Sequence, residues 1–309
     1  MAHVTKSLHK TWMSVRNGQL LLRLFIYLIM ADLALVFLYP FLYLLVTSVK
    51  SATDLRDLTV NWVPNTFVFS NFKTAFDLLD YPQTFVNSLI LSVVSTAGHV
   101  FSCSFVAYGL ARFRFFGRKL VFALVVFTII VPVQVVIIPQ YVVFASLKLT
   151  NTFAPIILPS LFGLGLRGGL FIFIFRQFFQ GLPPALEDAA KIDGCGHMRT
   201  YFNIVLPIAK PSIVVTAILS IVWHWNEYFE SSIYLGKQSV KPLPAMLPAI
   251  YEKFQEMSSS VNIMSKPTVE VTMATVAAAT FLVVIPMLLM FLVVQRQFVE
   301  GVERTGLVE

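Results

Sequence analysis

A chain of 309 residues that is 57% hydrophobic and only 13% charged, with a mean hydropathy of +0.77, carries about half the charge fraction of a soluble domain. It reads as a polytopic membrane protein. Its net charge of +7 does not make it a nucleic-acid binder, because the cations are sorted along the chain by membrane side. Two cysteines, Cys103 and Cys195, are too few for a disulfide framework or a four-ligand metal site.

The apolar runs predict an all-α integral membrane protein with six transmembrane helices, near 24–46, 85–107, 120–144, 153–175, 212–229 and 271–294. Each approaches the roughly 20 helical residues that cross a hydrocarbon core. Residues 1–23 form a cytoplasmic N-terminus, 24–294 the membrane domain and 295–309 a cytoplasmic tail. On this division fourteen Lys and Arg fall on the side of the termini and eight on the other, with Arg167 inside a span. Lys and Arg stay inside, which puts both termini in the cytoplasm. The run from Leu24 to Val46 exceeds the 7–15 or so apolar residues of a signal peptide and lacks a small-residue cleavage site, so it reads as the first span.

The first external loop, 48–83, holds the turn-rich WVPNTFVFSNF, and a short basic turn, ARFRFFGRK, follows the second span. Pro132 and Pro139 predict a third span that is kinked or broken, since proline removes a donor and clashes with the preceding turn. The fourth has Pro155 and Pro159 near its start and glycines at 163, 165, 168 and 169. Two readings stand for these breaks: close helix packing by small residues, or a cavity that satisfies the freed backbone.

Between spans four and five lies the most informative stretch, EDAAKIDGCGHMRTYFNIVLP at 187–207. Pro183-Pro184 can open a helix, and Glu187 and Asp188 sit where the helix dipole favours negative charge. Leu182, Leu186 and Ala189/Ala190 form one apolar face, and Gly194 is placed to stop the helix in a left-handed conformation. A second helix carries Met198, Tyr201, Phe202 and Val205 on one stripe, and Pro207 ends it. The product is a cytoplasmic helix-turn-helix that either docks a partner or lies on lipid headgroups.

Arg167, within the predicted fourth span, must face the bundle or a cavity, with Asp32 of the first span as a possible partner. Trp223, Trp225, Asn226 and Glu227 combine aromatic faces with hydrogen-bonding groups in a way that suits a sugar, although tryptophan is also an ordinary interfacial residue. Gln134, between the two prolines, is a further pathway candidate, while His99 reads as a helix–helix hydrogen-bonding residue. LPAMLPAIYEKFQ in the external loop 230–270 predicts a short amphipathic helix.

D-A-A-x3-G-x9-I-x-L-P, from Asp188 to Pro207, resembles the EAA loop of bacterial ABC importer permeases. The likeness is greatest to the carbohydrate-type permeases of the maltose transporter class, specifically the second, shorter subunit. It extends to NSLILSVVSTAGHVFSCSFVAYGLARFRFFGRK, VPVQVVIIPQY, NTFAPIILP, FRQFFQGLPPALEDAAKIDG, WHWNEYF and QRQFVEGV, and so covers about residues 24–303. Asp188 stands where Glu is usual, with Glu187 beside it, and Glu230-Ser231-Ser232 is more polar than usual.

The resemblance implies a permease that imports a carbohydrate, on expectation an oligosaccharide, by alternating access in the bacterial cytoplasmic membrane. Its implied partners are a second homologous permease subunit, two cytoplasmic ABC ATPase subunits and an extracytoplasmic solute-binding protein. It places Glu187, Asp188, Ala189, Ala190 and Gly194 at the ATPase contact, with Ile204, Leu206 and Pro207 fixing the loop against the membrane helices. The chain lacks G-x-x-x-x-G-K-[ST], the loop that cradles nucleotide phosphates, so ATP and magnesium belong to the ATPase subunits and this chain is not itself an enzyme. An ion-coupled secondary transporter using Asp32, Arg167 and Glu227 is the alternative, but it leaves the loop pattern unexplained and no inverted repeat accompanies it. The five histidines share no metal-ligand spacing.

Overall fold

A computed structural model describes residues 2–259 and 271–306, with side chains over 22–257 and 271–297. The side chains of Lys6, Lys10, Arg16, Lys266 and Arg304 lie outside the described set, as does the end of the QRQFVEGV segment. Among the described residues every regular element is helical.

Helix α1 (Ala2–Ser48) presents residues 22–43 as an apolar rod exposed throughout. Its outer end is pinned by polar contacts: Lys50 donates to the Val60 carbonyl at 2.8 Å, and the Asn71 amide to the carbonyls of Ser48 and Lys50. Two short helices follow, α2 (Ala52–Arg56), opened by a Ser51/Asp54 capping box, and α3 (Ser70–Leu78).

The centre of the bundle is α4 (Tyr81–Arg112). It buries Ser88, Ser92, Ser95, His99 and Ser102, which recur at intervals of four and three, while Leu89, Val93, Phe101 and Phe105 face outward. That inversion follows from the surroundings. Lipid is as apolar as leucine, so helices meet through small and hydrogen-bonding residues rather than through hydrophobic sequestration.

Helices α5 (Arg118–Ile130) and α6 (Val133–Ser146) form the predicted third span, bent by 101° at Val131-Pro132. Pro139 stays inside α6 without ending it, so one proline breaks the span rather than two. The predicted fourth span is interrupted more deeply, into α7 (Ala154–Leu161) and α8 (Gly168–Gly181). Here the chain turns through positive φ at Gly163, Gly165 and Arg167. α4 holds this break: Ser102 donates to the Ser160 carbonyl at 2.9 Å, and His99 Nε2 lies 2.8 Å from the Leu164 carbonyl. α8 lies so close to α5 that a Cβ at Gly169 would overlap the Val125 carbonyl and the Thr128 hydroxyl.

After α8 come α9 (Ala185–Ile192) and α10 (His197–Thr200). A π turn over Tyr201–Val205 leads into α11 (Leu206–Ile208). The chain then bends by 75° at Ala209 into α12 (Lys210–Trp225). Short α13 (Phe229–Tyr234) and α14 (Leu247–Ser259) precede the last helix, α15 (Met273–Gly306). α14 is the expected amphipathic helix, with Ile250 buried and Leu247, Phe254 and Met257 packed inward. Among the described residues three unbroken helical stretches are long and apolar enough to cross a membrane, 22–48, 81–112 and 273–297, and the two bent pairs raise the number to as many as five.

Candidate coupling loop and translocation face

The loop between α8 and α12 is braced from both ends. α9 begins at Ala185 behind Pro183-Pro184, with Glu187 and Asp188 in its first turn. It ends in a Schellman motif: Gly194 takes φ +77°, its N–H donates to the Lys191 carbonyl, and Cys195 N–H donates to that of Ala190. The left-handed turn is the expected one. The face that α9 buries is not. Ala190 is 2% exposed, but Leu186 and Ala189 point outward, and the inward positions belong to Ala190 and Glu187.

Glu187 turns in because Arg112, at the C-terminal end of α4, sits 2.8 Å away, both side chains being 13% exposed. Arg112 also donates to the Leu182 carbonyl at 2.8 Å. Glu187 therefore braces the loop against the bundle. Asp188 faces solvent and pairs with Lys191 at 3.0 Å.

The second arm also departs from expectation. The stripe of Met198, Tyr201, Phe202 and Val205 splits, with Tyr201, Val205 and Ala209 buried and Met198 and Phe202 exposed. A π turn spans Tyr201–Val205, and the side chains buried from it onward, Tyr201, Val205 and Ala209, follow a four-residue interval. Tyr201 enters the main core beside Tyr108 and Phe179, and its hydroxyl lies 2.8 Å from Ser104. Ile204 and Leu206 are half-buried, whereas Pro207 is exposed and lies within the helical run that it was expected to end. The helix stops at Ala209 instead. Bracing falls to Tyr201, Val205 and Ala209, with Leu206 alongside. At the tip, Ile192 is 87% exposed and Met198 59% exposed.

The pathway candidates divide. Arg167 is not inside a helix but in the break before α8, at φ +64°. Its guanidinium stacks 5.1 Å above the Trp223 ring, whose indole is itself 5.5 Å from Phe171. Asp32 lies on the exposed face of α1 and makes no pair with it: the ion pairs among the described residues are Arg112–Glu187 and Lys191–Asp188. Trp225 points the other way, 4% exposed, and donates to the Val283 carbonyl of α15 at 3.2 Å. It is a core residue rather than a pathway residue. Asn226 folds back on the Val222 carbonyl at 2.8 Å, and Glu227 accepts from the Glu230 N–H at 2.7 Å. Gln134 is exposed in the first turn of α6, beside the 101° bend, and is not gathered with Arg167 and Trp223. A cavity of about 330 Å³ at the outer end of α1, lined by Leu45, Val49, Trp62 and Phe69 among others, contains none of these residues.

Behind Arg167 lies a buried polar track. Ser220 of α12 is hydrogen-bonded to Thr96 at 2.9 Å and sits 3.3 Å from His99 Nδ1, and His224 Nδ1 reaches the Ser220 carbonyl at 2.8 Å. His99 therefore joins α4, α12 and the span-four break, the helix–helix role its position suggested. Arg112, Ser104 and Tyr201 had not been recognised as a brace. The interval of Ser88, Ser92, Ser95, His99 and Ser102 was a legible signal for the inner face of α4. Among the described residues no three of His, Cys, Asp and Glu are arranged to hold a metal.

Broken membrane helices around a polar track, with a braced hairpin between α8 and α12, are the architecture of a transport permease. Residues 103–302 match the family model of the binding-protein-dependent transport system inner membrane component, and the chain belongs to that family. It is 29% identical over 272 residues to the polygalacturonan/rhamnogalacturonan transport system permease protein YtcP of Bacillus subtilis, covering 87% of this chain and 91% of that one. It is 28% identical over 279 residues to the arabinooligosaccharides transport system permease protein AraQ of Halalkalibacterium halodurans, covering 89% and 93%. Its fold matches a chain from the crystal structure of a bacterial ABC transporter involved in import of the acidic polysaccharide alginate, with TM-score 0.73, 22% identity and coverage of 88% and 94%. An ion-coupled secondary transporter finds no support in these relationships.

Proposed function

We propose that this chain is one permease subunit of an ATP-binding-cassette importer for carbohydrate oligomers, and that residues 185–208 couple it to a separate ATPase. The observation that carries the reading is the hairpin itself. It is clamped to α4 by Arg112–Glu187 and Tyr201–Ser104, yet it presents Ile192 and Met198 to solvent. An exposed apolar tip on a rigid mount suits a cleft in a cytoplasmic partner. The relatives' names, which describe permeases for arabinooligosaccharides and for polygalacturonan/rhamnogalacturonan, favour a carbohydrate cargo.

The assembly needs more than this chain. Residues 22–43 of α1 are exposed throughout, which fits contact with lipid and with a second, homologous permease subunit. Two cytoplasmic ATPase subunits hold ATP and magnesium, and an extracytoplasmic binding protein delivers the sugar. Counting α5/α6 and α7/α8 as broken spans gives six crossings, with both termini in the cytoplasm of a bacterial inner membrane, a side favoured by the fourteen-to-eight division of cations. ATP binding closes the ATPase pair, and the braced hairpin moves as a rigid body with α4 and α8. The resulting shift repacks the bundle between its two access states.

The test is sugar-stimulated ATP hydrolysis by the complex in vesicles. Ile192→Asp changes an exposed side chain, so its cost to folding is within about 0.5 kcal/mol. Loss of stimulation while the two permease subunits stay assembled is the expected result. Stimulation at the wild-type level rejects 185–208 as the coupling element.

A further inference from the structure

Arg167 occupies a backbone position that a side chain disfavours. Its φ of +64° lies in the left-handed region, where glycine is at ease, and the neighbouring turn residues with positive φ are Gly163 and Gly165. A non-glycine residue held in such a conformation points to a use for its side chain. Burial does not explain the residue, since Arg167 is exposed on this chain. An ion pair does not explain it either, because none is formed by it among the described residues.

What the structure gives Arg167 is a platform. The guanidinium stacks on Trp223, which is backed by Phe171. The break that carries Arg167 is fixed from behind by His99 on the Leu164 carbonyl and by Ser102 on that of Ser160. A cation–π contact supplies no oxygen or nitrogen acceptor, so the guanidinium N–H groups are left to be bonded by a ligand. Glu227, just after α12, is a carboxylate within electrostatic reach of Arg167. Its carboxylate is already engaged by the Glu230 N–H at 2.7 Å and closes no pair with the guanidinium. A planar, permanently charged fork held over an indole and paired with no carboxylate among the described residues matches a carboxylate ligand, which it can bind through two parallel hydrogen bonds.

We infer that Arg167, positioned by Trp223, is a recognition site for the carboxylate of an acidic, uronate-containing oligosaccharide passing through the importer. This rests on the carbohydrate-importer reading and narrows its substrate class. Trp223 is a positioning residue: its ring supports the guanidinium and is not the surface on which a sugar stacks.

The experiment uses the complete complex of this chain, its partner permease and the ATPase in lipid nanodiscs. The probes are trigalacturonate and its fully methyl-esterified form, which keeps the skeleton and removes the charge. Affinity of each is measured by titration calorimetry on wild type, Arg167→Gly, Arg167→Lys and Trp223→Tyr. Glycine suits the local backbone, so Arg167→Gly removes the guanidinium without a folding penalty at that residue, and assembly is checked by gel filtration. The acid should bind wild type about ten- to a hundredfold more tightly than the ester, the range of one charge-assisted hydrogen-bonded contact. Arg167→Gly should bring the two within about twofold, Arg167→Lys should keep part of the preference, and Trp223→Tyr should keep most of it. Equal binding of acid and ester to wild type overturns the inference. So does an Arg167→Gly variant that weakens both alike, or the absence of any binding. The importer reading fails separately, on hydrolysis that no sugar-loaded binding protein stimulates.

Discussion

Removing the Arg112–Glu187 pair should loosen the hairpin proposed to couple the chain to its ATPase without unfolding the bundle. Breaking a fully buried pair costs about 3–5 kcal/mol, and an exposed pair is worth roughly 0–1 kcal/mol. With each side chain 13% exposed, this pair lies towards the buried end, at about 2 kcal/mol. Arg112→Gln also forfeits the 2.8 Å bond to the Leu182 carbonyl, whereas Glu187→Gln keeps a neutral acceptor beside the guanidinium. The second arm stays anchored by Tyr201, Val205 and Ala209, so the hairpin partly retains its place and the full cost is not expressed. Affinity of the purified ATPase for the permease pair, measured by fluorescence titration in nanodiscs, should fall about tenfold in either variant, or about 1.4 kcal/mol. Completing the double-mutant cycle should return a coupling energy of about 1–2 kcal/mol. A value below about 0.3 kcal/mol, within the usual additivity error, would refute the assignment of Glu187 as the inner brace.

Gly194→Ala should cost about 1–2 kcal/mol, because an L side chain is forced into the left-handed region at φ +77°. Gly196→Ala, at φ −72° with open space around it, should be near neutral, and hydrogen exchange across 185–200 reads the contrast. Trp225→Phe removes the donor to the Val283 carbonyl and should lower stability by about 1–3 kcal/mol, seen in thermal unfolding, while uptake per assembled complex is retained. In the external loop, burial pushes the Asp54 carboxyl upward, but bonds from Ser51, Asn65 and the Thr66 N–H outweigh it and hold the carboxyl below the ordinary aspartate range. A depressed folded-state value stabilises above the unfolded value and is lost as pH falls through the folded one. Protease sensitivity of 50–66 should therefore rise only below about pH 4, and Asp54→Asn should abolish that acid step.

Much of the fold was legible because lipid imposes a simple grammar. Unbroken apolar runs located α1, α4 and α15. Pro132 marked the sharp bend before α6, and Pro183, Pro184 and Gly194 bounded α9 within one or two residues. These signals are local, set by a missing N–H, a fixed φ or a tolerated positive φ. Where the reading missed, the deciding partner was distant in sequence. Glu187 faces inward because Arg112, seventy-five residues earlier, reaches it from the end of α4. Trp225 and Trp223 are two positions apart on α12, which points them to different sides, one to the Val283 carbonyl and the other beneath Arg167.

By itself the sequence determined that this is a helical membrane permease with a polar hairpin between its fourth and fifth apolar segments. Hydropathy, charge asymmetry and the spacing from Asp188 to Pro207 depend only on composition and local backbone rules. The tertiary structure alone decided which side chains brace that hairpin, which side chains of its second arm are buried, and that Arg167 stands in a helix break rather than within a helix. Those outcomes depend on which carbonyls and rings of α4 and α12 the chain meets after folding. Spacing along one segment cannot encode them, because the helices are joined by long-range hydrogen bonds such as His99 to Leu164 and Tyr201 to Ser104.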